Sequence, residues 1–525
     1  MVARFKPLPT LEGAQAAAVD PNVHASVSAS AGSGKTQVLT GRVLSLLLNG
    51  ADPEAILCLT FTKAGAAEMA NRIGTRLAAW VRMKDVELGA DLMALRADPG
   101  PATRERARRL FAKVLEAPGG LRIQTIHSFA QALLAAFPAE AGITPGFQPI
   151  EGRAEQELAR TTLANLLADA EARGDQQLIG DVQCLSLRLG EDGAVAYLMS
   201  CARSPDAMQA LGPAVVIEPM LKRLMNLPDG SVEEFLAHHC HEERLDCDLL
   251  EAISEANRKW GTQTGLGHAE VIEKWLALTP IERAAELPAL RKVVLTEKAT
   301  TRVTAGQTKV EPNYEDDAGR IANLVGELLA VQNGARLAAD MAAGLRAGQA
   351  FAAAYAKAKR SAGVADFNDL IAWTRALLAT PGMGDWVRYK LDRRTDHILV
   401  DESQDTNREQ WEIVQALADE FFSGASAHEG RGRTLFMVGD FKQAIFGFQG
   451  TDPEEFKRAR EWVRQQSASL LTADEDAKAG TALEFRDLSI EASFRSAPAV
   501  LDVVDAVIAD VGYRNMGLPE PPNRH

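Results

Sequence analysis

Cysteine is scarce in this sequence. Five thiols (Cys58, Cys184, Cys201, Cys240 and Cys247) are spread over 525 residues, too few and too dispersed for the dense disulfide framework of a small secreted domain. They read as reduced thiols. No apolar run reaches the roughly 18 residues that span a bilayer. The opening stretch, Met1 to Gly13, lacks the apolar segment of an export signal. A cytoplasmic protein with no membrane partner is therefore expected. Positive charge is also in deficit, since 57 Lys and Arg stand against 71 Asp and Glu, a net charge of −14. That excludes a body coated in basic surface, although a local basic groove on an acidic body can still hold nucleic acid. No internal repeat is found.

What is present is ordinary globular material, 46% hydrophobic and 24% charged, long enough for three or four domains. Ala25 to Ser28, Ile56 to Phe61, Ile398 to Val400 and Leu435 to Val438 are short apolar runs, each followed by a polar or glycine-containing turn. Arg122 to Ile126 is a weaker fifth run. This is the pattern of buried parallel strands with ligands at their carboxyl ends. Between about residues 135 and 365 the sequence becomes rich in Ala, Leu, Glu and Arg at helical spacing. The expected fold is thus α/β, a parallel sheet split by a large all-helical insertion. Three polar stretches, Thr296 to Arg320, Gly424 to Arg433 and Thr472 to Ala482, read as exposed connections.

The first run leads into Ala29-Ser-Ala-Gly-Ser-Gly-Lys-Thr36 and then a long amphipathic segment closed by Asn49-Gly50. A phosphate loop needs a permissive backbone, small side chains and a helix start whose free amides and positive dipole end face the anion. Ser30, Ala31, Gly32, Ser33 and Gly34 supply the first two. Lys35 would reach the β- and γ-phosphates, and Thr36 would hold Mg²⁺. The strict pattern has glycine where Ala29 stands, and taken alone a Gly/Ser turn before a helix remains an open reading. The complementary half of such a site is an acidic pair after another buried strand. His397-Ile-Leu-Val-Asp401-Glu402 fits, with Asp401 on the metal side and Glu402 placed to orient or deprotonate the attacking water.

Further stretches carry a resemblance. They are Leu11-Glu-Gly-Ala-Gln15, Leu59-Thr-Phe-Thr-Lys-Ala-Gly-Ala-Ala-Glu-Met69, Gln124-Thr-Ile-His-Ser-Phe129, Val438-Gly-Asp-Phe-Lys-Gln-Ala-Ile-Phe-Gly-Phe-Gln-Gly450 and Glu491-Ala-Ser-Phe-Arg-Ser-Ala-Pro498. In order, with the phosphate loop and the acidic pair, the set resembles the motifs of superfamily-one DNA helicases of the UvrD/Rep type. Within that group it is most similar to AddA, the RecB-like helicase–nuclease partner of AddB. There the phosphate loop commonly begins with Ala, which accounts for Ala29.

The resemblance implies a RecA-like ATP-binding domain in two parts (1–134 and 366–465) around a helical insertion (135–365), then a linker and the start of a second RecA-like domain (466–525). It implies ATP and Mg²⁺ as cofactors, single- and double-stranded DNA as substrate, and an AddB-like partner in double-strand-break repair, with 3′→5′ movement. Gln15 would read the adenine edge and Gln443 would sense the γ-phosphate. Phe494 would stack on adenine, and Arg495 would approach the γ-phosphate from the second domain. Thr60, Thr62, Thr125, His127 and Ser128 would lie against the DNA backbone, and Phe446 and Phe448 would stack on bases. On residue chemistry alone His127 reads as a core histidine and Phe446 as a core aromatic. Gln449 and Ser493 depart from the family pattern, where Arg and Asn are usual.

Two other readings stay in view. One is a nucleotide-dependent DNA-binding module inert as a motor. The other is an unrelated P-loop ATPase, disfavoured because no LSGGQ-like stretch is found. The cluster His238-His-Cys-His241 with Cys247 lacks the paired C-x₂-C spacing of zinc sites and reads as a solvated helix. The later helicase motifs and a nuclease are not found, so the chain is read as an amino-terminal portion. It is expected to bind ATP–Mg²⁺ but to hydrolyse it slowly and not to unwind DNA. Steady DNA-stimulated turnover by the purified 525-residue chain would contradict that expectation.

Overall fold

The computed structural model describes residues 7–30, 32–392, 394–422, 432–444, 451–472, 483–490 and 497–516. Contacts divide the chain into two compact units. One joins Met1–Ile150 to Gly363–His525, and the other is Glu151–Ala362.

The first unit is built on a parallel sheet. Its strands are β1 (His24–Ala29), β2 (Ile56–Thr60), β3 (Arg122–Thr125), β6 (His397–Val400), β7 (Thr434–Gly439) and β8 (Phe485–Ile490), in the spatial order β3-β2-β6-β7-β1-β8. Two-residue strands β4 (Gln148–Pro149) and β5 (Val364–Ala365) pair separately. The five runs marked in the sequence fall on β1, β2, β3, β6 and β7.

Strands β2, β6 and β7 are buried along their whole length, which is why they read as continuous apolar runs rather than alternations. Successive side chains leave opposite faces of a strand, and each face has its own core. Ile56, Cys58, Leu399, Phe436 and Val438 pack with α1 (Lys35–Leu48), α2 (Lys63–Arg82) and α3 (Pro101–Glu116). Leu57, Leu59, Ile398, Val400, Leu435 and Met437 pack with α4 (Ile126–Ala136) and the helices Phe367–Ala379 and Arg408–Ala418.

Polar groups set the register at the start of the sheet. Buried His24 accepts a hydrogen bond at Nδ1 from the Leu435 amide (3.1 Å), pinning β1 to β7. Burial, reinforced by nearby Arg42, pushes the imidazole down to about 3, so the ring is neutral and free to accept. Arg42 on α1 is itself buried and donates to the carbonyls of Ala18 (3.2 Å), Val23 (2.7 Å) and Asp20. It thereby ties the segment before β1 to the helix after it.

The second unit is helical throughout. Its spine is the 49-residue helix Tyr314–Ala362. The amino-terminal half of the spine packs Tyr314, Ile321 and Leu328 against helices between Val232 and Val294. The carboxyl-terminal half packs Phe351 and Tyr355 against Arg153–Arg173 and Gln176–Ala202. Buried Arg346 holds Asp181 by two hydrogen bonds, 2.8 and 2.7 Å.

The expectation of an exposed connection over Thr296–Arg320 is corrected here. Gln307 and Tyr314 are buried, because Gln307 Nε2 donates to Asn257 Oδ1 (2.9 Å) and to the Tyr314 hydroxyl (2.8 Å), which also accepts from Asn257 Nδ2 (2.9 Å). A polar stretch whose hydrogen bonds are met internally can be core, which polarity alone does not reveal. The other two polar stretches lie almost wholly outside the described residues. No described helix is long and apolar enough to cross a membrane.

Candidate nucleotide site and nucleic-acid interface

The ends of β1, β6 and β7 are neighbours at the carboxyl edge of the sheet, where an α/β layer places its ligands. After β1, Gly32 and Gly34 adopt left-handed backbone (φ 77° and 92°), which lets the chain turn sharply into α1. The turn is closed by the Ser33 hydroxyl and amide, both donating to the Ser30 carbonyl (2.7 and 3.1 Å). Helix α1 then begins at Lys35, so its first amides and its positive dipole end face the turn. Gln15 donates from Nε2 to the Ser33 carbonyl (3.1 Å) and so lies against this loop. A Cβ on Gly34 would stand 3.4 Å from the same amide. Thr36 sits in the first turn of α1, half-buried.

Lys35 Nζ lies 3.5 Å from Glu402 Oε2 and 3.2 Å from Gln443 Oε1. The structure thus brings together one residue each from the loops after β1, β6 and β7. The lysine side chain is 11% exposed and the glutamate 38%, so the ion pair is partly screened and its net contribution to stability is small.

Asp401 closes β6 with its amide donating to the Leu59 carbonyl (2.8 Å), and its Oδ1 accepts from the Glu402 amide (3.0 Å). Glu402 itself takes left-handed backbone (φ 48°, ψ 46°), a conformation that costs a non-glycine residue on the order of 1 kcal/mol or more. Such strain collects where a side chain must be aimed.

Two carboxyls here are raised. Burial, then the Glu402 charge, pushes Asp401 up to about 6. The same two causes, in the same order, push Asp405 up to about 6. A cation entering beside them would favour the charged forms. No ligand is part of this structure, but two raised carboxyls, an ammonium and a helix start on one edge of the sheet suit a polyanion carrying a divalent metal.

The residues expected to face DNA gather at the neighbouring strand ends. Thr60 and Thr125 are register partners at the ends of β2 and β3. Thr62 caps α2, its exposed hydroxyl accepting from the Gly65 amide (3.0 Å). Thr125 caps α4 by accepting from the Ser128 amide (3.1 Å), with the Ser128 hydroxyl 2.9 Å away. Thr60 and Thr125 are buried. Two capped helix starts therefore stand side by side, each able to face a phosphate. His127 packs edge-on against Phe367 (5.0 Å between ring centres), and burial lowers its pKa. It is neutral at physiological pH.

Ala31, Phe446, Phe448, Phe494 and Arg495 lie outside the described residues. Among the described residues no group of three or more His, Cys, Asp and Glu is arranged to hold a metal ion. In the His238–Cys247 stretch Cys240 is buried, its thiol pushed up to about 11 by burial, and His239 Nδ1 pairs with the Phe235 carbonyl (2.8 Å).

Sequence reasoning assigns no role to Gln404, Asp405 or Asp440, although each lies within or beside a quoted motif. The available signal is an amide set between carboxylates in Asp401-Glu-Ser-Gln-Asp405.

Comparison with known proteins matches this architecture. Residues 11–463 match the family described as UvrD/REP helicase N-terminal domain. The chain belongs to that family and has its α/β RecA-like fold with a helical insertion. Curated relatives, named as ATP-dependent helicase/nuclease subunits of the AddA type, match most of the chain. The protein of Desulfitobacterium hafniense is 30% identical over 494 residues, covering 85% of this chain and 32% of its own. That of Latilactobacillus sakei is 26% identical over 489 residues, covering 86% and 50%. That of Carboxydothermus hydrogenoformans is 26% identical over 458 residues, covering 83% and 36%. The chain spans between about a third and a half of the length of these relatives.

The raised carboxyl of Asp401 gives a pH test. Its folded pKa of about 6 lies above the ordinary 3.8, so between those values the folded chain binds more protons than the unfolded. Stability contributed by the protonated form is lost as pH rises through that window. Asp401→Asn keeps the acceptor for the Glu402 amide and removes the titration. The variant should be more stable than the parent at pH 8 by on the order of 1–2 kcal/mol, with the gap closing toward pH 4, as read by thermal melts. A gap independent of pH would contradict the assignment.

Proposed function

We propose that this chain is the ATP-driven motor portion of a DNA helicase of the AddA type, moving 3′→5′ along single-stranded DNA during double-strand-break repair and recombination with an AddB-like partner. The observation that carries the reading is the meeting of Lys35, Glu402 and Gln443 at the carboxyl edge of one sheet. The family match and the printed names of the relatives support it.

In this reading the amides of Gly32 to Thr36 cradle the phosphates of ATP and Lys35 neutralises the β- and γ-oxygens. Thr36 and Asp401 hold Mg²⁺, which supplies charge neutralisation to the transferring phosphoryl group. Glu402, aimed by its left-handed backbone, orients the attacking water and accepts its proton. Gln443 lies within reach of the Lys35 ammonium and reports the γ-phosphate to the turn after β7. Gln15 and Phe494 take the adenine, and Arg495 completes the charge around the γ-phosphate. Thr60, Thr62, Thr125, His127 and Ser128 contact the DNA backbone, and Phe446 and Phe448 stack on bases. The work is positioning and electrostatics, as phosphoryl transfer requires.

Titration calorimetry tests the nucleotide half. ATP–Mg²⁺ should bind the chain, and Lys35→Ala should weaken it by at least about tenfold, or about 1.4 kcal/mol. Single-stranded DNA should bind without sequence preference, with an affinity that falls linearly with salt on logarithmic axes. Unchanged ATP affinity in Lys35→Ala would sink the reading.

A further inference from the structure

Around the Lys35 ammonium the hydrogen bonds form a closed ring. Gln443 Oε1 accepts from Lys35 (3.2 Å), and Gln443 Nε2 donates to Asp440 Oδ2 (2.8 Å). The Asp440 amide donates to Gln404 Oε1 (2.9 Å), and Gln404 Nε2 donates to Glu402 Oε2 (2.8 Å). Glu402 Oε2 returns to Lys35 at 3.5 Å. Gln404 is buried, and its amide is fully used, because the second Nε2 proton goes to Asp405 Oδ2 (3.1 Å). The surroundings fix its orientation. Turned over, its oxygen would face two carboxylates and its NH₂ would face a backbone N–H.

The backbone is shaped to allow this contact. A Cβ on Gly439 would lie 2.9 Å from Gln404 Oε1, 2.9 Å from Phe456 and 3.2 Å from the Gln404 amide. The end of β7 approaches the turn after β6 as closely as glycine alone permits. The Asp440–Gln404 hydrogen bond spans that approach.

We propose that Gln404 is a positioning residue that joins the Glu402 carboxylate to the turn carrying Asp440 and Gln443, so that the water-activating group and the phosphate-sensing group move as one. This rests on the nucleotide-hydrolysing reading given above. When a triphosphate takes Lys35, the ring opens at the lysine. The chain Glu402–Gln404–Asp440–Gln443 stays linked through Gln404. A shift of Gln443 toward the γ-phosphate is then passed to Glu402 through two hydrogen bonds to one buried amide. Gln404 touches neither phosphate nor water itself.

Two variants separate the halves of the amide. Gln404→Met keeps the volume and loses both links. Gln404→Glu keeps an acceptor for the Asp440 amide and loses the donor to Glu402. With the chain in excess over radiolabelled ATP–Mg²⁺, Gln404→Met should slow single-turnover hydrolysis by on the order of 10–100-fold. Its ATP dissociation constant should stay within about threefold of the parent, since the amide cradle and Lys35 are untouched. Combined with Gln443→Ala, it should be no slower than the slower single variant by more than about threefold, because both break one linked unit. Hydrogen exchange at the Asp440 amide gives a readout independent of turnover. It should quicken at least about tenfold in Gln404→Met and stay near the parent in Gln404→Glu.

An unchanged hydrolysis rate in Gln404→Met, a rate lost in step with affinity, or multiplicative effects in the double variant would each overturn the proposal. So would unchanged exchange at Asp440. A parent chain that binds ATP and never hydrolyses it would instead refute the hydrolytic reading, and the exchange measurement would then decide alone whether Gln404 links the two turns.

Discussion

The site depends on one ammonium group held between partners far away in sequence. Lys35 meets Glu402 across 367 positions and Gln443 across 408. No local preference could bring those groups together. What does so is the order of the central strands, with β6, β7 and β1 adjacent. That order is fixed in turn by burial on both faces, where alternate residues of each strand enter opposite cores. A register slip of one residue in β6 or β7 would exchange the faces and move the acidic pair out of reach. The apolar packing and the chemistry are therefore one constraint.

Much of this is legible in the residues. Continuous apolar runs give β1, β2, β6 and β7, and Gly32 and Gly34 give the turn into α1. Strand β8, Phe485–Ile490, escapes such a reading, because Phe-Arg-Asp-Leu-Ser-Ile is interrupted by charged and polar residues. It lies at the edge of the sheet beside β1, where solvent can take those charges, so no continuous apolar run is needed. The burial of Gln307 and Tyr314 is hidden for a related reason, since their hydrogen bonds are satisfied by Asn257 from another helix. Pairings of this kind depend on tertiary partners and leave no local periodicity.

The site also shows how ordinary requirements and functional ones share the same atoms. Thr62 and Thr125 cap α2 and α4, which any helix start at a strand end would favour. The same geometry presents two positive helix ends side by side at neighbouring strand ends, where a DNA backbone would be met in the proposed reading. Glu402 is different. Its left-handed backbone gives nothing to the sheet, and its carboxylate is met by an ammonium and a buried amide. Structural economy does not account for that strain, whereas the aiming of a reactive carboxylate does.

The most direct test of the convergence is a crystal structure of the chain with a non-hydrolysable ATP analogue and Mg²⁺. The account predicts one metal–triphosphate between the amides of Gly32–Thr36 and the Asp401–Glu402 pair, with the Lys35 ammonium moved from Glu402 onto the phosphates. A nucleotide bound elsewhere, or bound at the loop while Asp401 and Glu402 face away from it, would contradict the account.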